Sequence, residues 1–286
     1  MTSFEKFVLW LKFPMEVPQI FGWFHILCLS LMVLATVFLV WRFHNASDKA
    51  LRRLLLGIWL AMVILELYKQ LVTSMNEFYG IAIWEYMWHA FPFQFCSTPL
   101  YALPVMIFMK EGPVRRAFMA FFAAFSLFAG LAVMAYPGNV FTSNIGINIQ
   151  TMFHHGAQVA VGILLVAYNR YHMNKRYFAG SLLVFYGFAA VAMILNEIFH
   201  YVIVVNEIPR AEFNMFYISP YYPCVLPVLS DIYNKVPYTV FLVIYLLGFT
   251  AVSALVYFVE KGILALVMRG KKTAPPSVEA EGSAAP

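Results

Sequence analysis

Ile20–Trp41 reads IFGWFHILCLSLMVLATVFLVW and is followed at once by RFHNASDKALRR, Arg42–Arg53. The first stretch holds no charged side chain. It is long enough for a helix to cross a hydrocarbon core about 30 Å thick, which takes about 20 residues. Backbone groups in hydrocarbon must find partners within their own segment, so an apolar run of this length is read as a helix. The second stretch is short, polar and basic, like the loops that remain on the cytoplasmic side of a membrane.

The same alternation continues outward. Further apolar runs cover Leu54–Ser74, Phe91–Lys110, Ala117–Tyr136, Thr151–Tyr168, Tyr177–Val205 and Val236–Glu260. Every second connection is basic: Lys110, Arg115 and Arg116; then Arg170, Lys175 and Arg176; then Lys261, Arg269, Lys271 and Lys272 at the end. Only Lys6, Lys12, Arg210 and Lys235 fall in the opposite connections, and Lys69 stands inside the second run. This predicts an all-α polytopic membrane helix bundle of about seven spans in the cell membrane, N-terminus outside and C-terminus cytoplasmic. Composition agrees. Charged residues make up 12% of the chain against 62% hydrophobic, about half the charged share of a soluble domain. The net charge of +5 does not point to nucleic acid, because the cations are scattered over short loops and form no single patch.

Residues 1–268 are read as one transmembrane domain. Within it, 1–17 is too polar to span, and the spacing of Phe4, Phe7, Val8 and Leu11 suggests a short interfacial helix. The first apolar run is too long for a cleaved signal peptide and no A-x-A site follows it. Residues 269–286, rich in Pro, Ala, Ser and Glu, are expected to form a disordered tail.

Polar side chains gather at one height. The second run carries Glu66, Lys69, Gln70 and Thr73 toward its outer end, at spacings that share a face. Glu85 and His89 precede the third run, and Cys96 lies near its start. His154, His155 and Gln158 open the fifth; Asn196, Glu197 and His200 close the sixth. Polar groups at membrane depth are costly and usually face the bundle interior, which makes them functional candidates. Simpler readings stand beside this one. Glu66 and Lys69 could be a structural ion pair, and His200 an interfacial anchor. His154 and His155 are successive and cannot share one helical face.

Cys28 lies in an apolar stretch and reads as a core residue. Cys96 is open to three readings: a disulfide with Cys224, a plain buried thiol, or a reactive one. Pro99, with no N–H, cannot pair with the Phe95 carbonyl, so irregular backbone is expected beside Cys96. Irregular backbone at membrane depth is tolerated where it lines a cavity or is buried in protein. No H-x-x-x-H, H-E-x-x-H or C-x-x-C spacing supports a metal site, and no phosphate-binding or G-x-S-x-G motif is present. No metal and no cofactor is expected.

Three segments resemble the YwaF / transmembrane-protein-164 family of integral membrane proteins. FPFQFCSTPLYALP, Phe91–Pro104, is similar to its L-P-x-H-x-C-S segment. MFHHG, Met152–Gly156, is similar to its S-H-G helix entry. NMFYISPYYPCVLPVLSDIYNKVPY, Asn214–Tyr238, resembles the loop before its last helix. The resemblance covers nearly the whole chain. It implies a seven-span plan and, by the eukaryotic branch, cysteine-dependent acyl transfer between phospholipids through a thioester. Cys96 would carry the acyl group, and His155 before Gly156 would be its partner. Gln94 stands where the family often has His, and Tyr222 and Pro223 replace a Lys-Pro, which weakens any mechanism needing a second base at Gln94.

The leading expectation is an acyl-transferring thiol enzyme at the outer leaflet, with membrane lipids as partners. Cys96 is the nucleophile and His155, or else His154, the base. Asn144, Asn196 or Asn214 donate to the oxyanion, and Glu66, Lys69, Gln94 and His200 complete the substrate site. The rival is a transporter or small-molecule receptor using Glu66, Lys69 and His200; a third reading is an accessory membrane protein. The sequence does not specify an oligomeric state.

Overall fold

The computed structural model describes residues 1–138, 140–208 and 211–272. It opens on α1, Ser3–Trp10. Thr2 and Glu5 cap this helix reciprocally: the Thr2 hydroxyl accepts from the Glu5 N–H at 3.2 Å and the Thr2 N–H donates to the Glu5 carboxylate at 2.6 Å, a pairing that satisfies two orphan donors. An extended stretch leads to α2, Trp23–Phe43, and then α3, Asp48–Ser74, capped by Ser47.

The connection after α3 is a β-hairpin, Met75–Phe78 (β1) against Ile81–Trp84 (β2), with Phe78 opposite Ile81. Tyr79 and Gly80 both have positive φ, 48° and 76°, the two-residue turn that suits the twist of paired strands. Trp84 stacks on Phe4 at 6.0 Å, so the hairpin and α1 form one aromatic cap on this end of the bundle.

The expected third span does not form as one helix. Phe91–Lys110 is split into a 3-10 turn at Phe95–Ser97 and a ten-residue helix, α4, Pro99–Phe108. Pro99 is a helix-starting residue here and not an interruption, as its fixed φ favours. Pro104 inside α4 leaves the Leu100 carbonyl without its helical donor, and the Trp59 indole N–H of α3 donates to that oxygen at 2.9 Å.

Pro113–Phe121 (α5), a wide π turn at Phe122–Ser126, and Leu127–Ala135 (α6) form one broken rod. It is followed by α7, Ile145–Tyr168; α8, Lys175–Val205; a short α9, Leu229–Tyr233; and α10, Tyr238–Lys272. The helix α10 thus runs through residues 269–272; residues 273–286 of the expected tail lie outside the described residues.

Among the described residues, five helices are long and apolar enough to cross a membrane: α2, the Pro113–Ala135 rod, α7, α8 and α10 as far as Met268. The helix α3 has the length but carries an internal ion pair, and α4 rises only about 15 Å. The helix α7 is the axis of the bundle. Its interior face packs against α2, α3 and α6, while α2, α8 and α10 present bare apolar flanks such as Leu34, Leu183 and Leu247. Side chains of that kind, exposed in rows, belong against lipid.

The α6–α7 seam is unusually close. A Cβ on Gly130 would lie 2.7 Å from the His155 carbonyl oxygen, and one on Gly162 would lie 2.8 Å from the Leu127 Cβ. Small residues at such seams let backbones approach. At the opposite end Arg115, 1% exposed, stitches three helices together. It donates to the Met106 carbonyl at 2.8 Å, to Glu111 at 2.5 Å and to Asp48 at 2.6 Å. A buried guanidinium is tolerated because its donors are matched in this way.

Candidate functional site

Glu66, 6% exposed, is the hub of a polar cluster between α3 and α7. One carboxylate oxygen accepts from Lys69 at 2.7 Å and from the Gln70 amide at 2.7 Å; the other accepts from Gln150 of α7 at 3.2 Å. Gln70 also donates to the Ala90 carbonyl at 2.7 Å, tying the chain that leads to Cys96 back onto α3. The ion pair expected between Glu66 and Lys69 therefore forms, and it forms within the polar cluster, so the two readings of these residues merge. Gln150 was not singled out in the sequence; it lies one turn before His154.

Cys96 sits partly buried in the 3-10 turn before α4. The turn is clamped from both sides. Gln158 of α7 donates to the Cys96 carbonyl at 2.9 Å. The Phe95 carbonyl accepts from the Thr98 hydroxyl at 2.8 Å and its N–H at 3.3 Å, so the pairing that Pro99 cannot make is supplied locally. Phe95 fills the aromatic cluster beneath, 5.0 Å from Phe249 and 6.0 Å from Phe185. The π turn lies against the same cluster through Phe125, a placement in keeping with the frequency of such bulges at functional sites.

The histidines complete the cluster. Both rings are buried, with centroids 6.1 Å apart. His155 Nδ1 lies 2.7 Å from the Thr151 carbonyl and can only donate to it, which leaves Nε2 as a free acceptor; this tautomer follows from the hydrogen bond. His154 comes up to the Cys96 main chain without closing a hydrogen bond, and neither of its nitrogens has a partner. The Gln158 and Gln70 carbonyl oxygens are also unpartnered. Lys69 lies within Coulombic range of Cys96, His154 and His155 alike. Buried polar atoms are nearly always paired, so these orphans on α3 and α7 mark the cluster as a functional candidate.

The other expected site residues are elsewhere or otherwise engaged. Gln94 donates to the Asn214 carbonyl at 2.9 Å and accepts from the Phe216 N–H at 3.0 Å. Asn196 brackets the Met215 main chain, accepting at 2.7 Å and donating at 3.1 Å. The Asn214 amide donates to the Tyr222 and Pro223 carbonyls and accepts from Ser219. These three side chains fix one loop over the Cys96 turn, holding Phe216 and Tyr217 at positive φ, 58° and 56°, a conformation that costs energy outside glycine and must be imposed by its surroundings. Phe216 packs on Phe93 and Phe95. The three amides act as loop anchors, with their polar atoms already used. Asn144 caps α7, accepting from Ile147 at 3.0 Å and from the Tyr68 hydroxyl at 3.1 Å, and stands apart from the cluster.

His200 also stands apart, stacked on Tyr221 at 3.4 Å, with the Tyr221 hydroxyl donating to Glu197 at 2.6 Å. His25, which the sequence reading passed over, is fully buried and satisfied, receiving the Phe21 N–H at 3.0 Å and reaching the Met134 carbonyl at 2.8 Å. It pins α2 to α6. The three cysteines are all free thiols, so the Cys96–Cys224 bridge considered from sequence does not form. Among the described residues no group of three or more His, Cys, Asp or Glu is disposed to hold a metal ion.

No curated protein and no solved structure matches the chain. The model of the TMEM164 family matches residues 20–259, from the start of the first membrane run to beyond the middle of α10, and the chain belongs to that family.

Proposed function

We propose that this protein is a polytopic enzyme of the cell membrane that transfers a fatty acyl group between phospholipids through a thioester on Cys96. The observation that carries this reading is His154, with both ring nitrogens unpartnered, at the Cys96 main chain, with the unpartnered Nε2 of His155 next to it on α7 and Lys69 of the Glu66–Lys69 pair within Coulombic range of all three. A thiol needs a base to become the attacking thiolate. His155, with Nδ1–H held by Thr151, presents the free lone pair of an oriented general base, and His154 is the neighbour that can relay or substitute.

In the first step His155 takes the thiol proton and the Cys96 sulfur attacks the ester carbonyl of a phospholipid. The tetrahedral intermediate collapses to a thioester, and the imidazolium returns the proton to the departing alkoxide of the lysophospholipid. In the second step the hydroxyl of another lysophospholipid gives its proton to His155 and attacks the thioester, restoring the thiol. The bare apolar flanks of the bundle suit an acyl chain arriving from the bilayer.

The test is acyl exchange in proteoliposomes carrying a labelled phospholipid donor and a lysophospholipid acceptor. His155→Gln is expected to slow exchange about a hundredfold or more, the usual worth of a general base, with the folded yield unchanged. No exchange by the unaltered chain, together with binding or movement of a polar solute that depends on Glu66, would favour a transporter or receptor in its place.

A further inference from the structure

We propose that the groove between the first turns of α3 and the end of α4 is a binding site for the phosphate headgroup of an anionic phospholipid. The groove has a volume of about 430 Å³ and is lined by the charged side chains of Asp48, Lys49, Arg52 and Arg53 and by the apolar Leu56, Ile107 and Phe108. It exists because α4 is short. Ending at Phe108, α4 leaves the N-terminal turns of the longer α3 uncovered on that side.

Lys49, Arg52, Arg53 and Leu56 are spaced by three and four and so share one face of α3. That face changes from cationic to apolar within two turns. Asp48 and Arg52 are committed to each other at 2.6 Å, Asp48 also to Arg115, and Arg52 also donates to the Ile107 carbonyl. Lys49 and Arg53 have no acidic partner among the described residues. Phe108 is 65% exposed at the end of its helix. Two free cations over an apolar wall match a phosphate joined to an acyl chain, whereas a free phosphate would have no use for Leu56 and Phe108. Basic pockets of this kind beside membrane helices recognise anionic headgroups.

The two free cations of the groove lie about 20–25 Å along α3 from Glu66, so the groove is separate from the Cys96 cluster and its test is independent of that chemistry. Purified full-length protein in detergent is titrated with phosphatidylglycerol or phosphatidylcholine, and retained lipid is read by native mass spectrometry. Saturable retention of phosphatidylglycerol in preference to phosphatidylcholine is expected. Lys49→Gln with Arg53→Gln should weaken it roughly thirtyfold, since each cation near an anionic surface is worth about a factor of five. Lys175→Gln with Arg176→Gln, an equal charge change on exposed residues outside the groove, should leave it unchanged, and Lys49→Arg should keep it. Equal weakening by both double variants, equal retention of the two lipids, or displacement by millimolar inorganic phosphate would each overturn the proposal.

Discussion

Cys96→Ser protein is expected to fold, to insert and to have no acyl-exchange activity. Serine changes one small atom, and the turn that carries it is held through main-chain atoms: Gln158 on the Cys96 carbonyl, Thr98 on the Phe95 carbonyl and Gln94 on the covering loop. Removing the sulfur therefore spares every contact that shapes the turn. A serine hydroxyl is a far weaker nucleophile than a thiolate, and the buried imidazoles have only a hydroxyl left to activate. The variant is measured by exchange rate and by gel-filtration profile in parallel. Retained exchange at a tenth or more of the normal rate would remove Cys96 from the chemistry.

The largest effect on stability is expected at Glu66. The carboxylate is buried and holds Lys69, Gln70 and Gln150 at once. Glu66→Gln leaves the Lys69 ammonium with no acidic partner among the described residues, and breaking a buried pair from one side costs about 3–5 kcal/mol. Glu66→Gln combined with Lys69→Met removes both charges and is expected to recover most of the lost thermal stability, because the penalty belongs to the unpaired charge. Exchange activity separates the roles further: a double variant that is stable but slow assigns the pair to the Cys96 site, through the charge Lys69 places near the thiol. Equal stability of the single and double variants would mean that water reaches both groups.

The apolar runs and the helices they form were legible in the sequence because hydrophobic length is a strong signal at membrane scale. The common height of some polar residues follows from helix direction and spacing: Glu66 and Lys69 pair beside Gln150 of α7, and His154 comes up to the Cys96 main chain. The failures have local causes. NEFYGIAIW, between the second and third apolar runs, carries no apolar length to mark it, yet its alternation around Tyr79–Gly80 is the period of a hairpin. The apolar composition of Phe91–Lys110 predicts a span; Pro92 and Pro99 decide the backbone instead, and the helix starts only at Pro99. The sequence suggests Asn196 and Asn214 as oxyanion donors and Gln94 as part of the substrate site; in the structure a loop with two successive residues at positive φ needs side-chain anchors, and these amides serve it. Neither the π turn at Phe122–Ser126 nor the role of His25 left any periodic mark in the sequence.

The central claim is that Cys96 carries an acyl group, and the direct measurement is to look for it. Proteoliposomes containing an alkyne-tagged phospholipid are stopped during turnover, and the peptide that includes Cys96 is examined by mass spectrometry before and after neutral hydroxylamine, which cleaves thioesters. The predicted result is an acyl mass on Cys96 that hydroxylamine removes and that accumulates when the lysophospholipid acceptor is withheld. An unmodified Cys96 during measurable acyl exchange, or an acyl mass confined to Cys28 or Cys224, would contradict it.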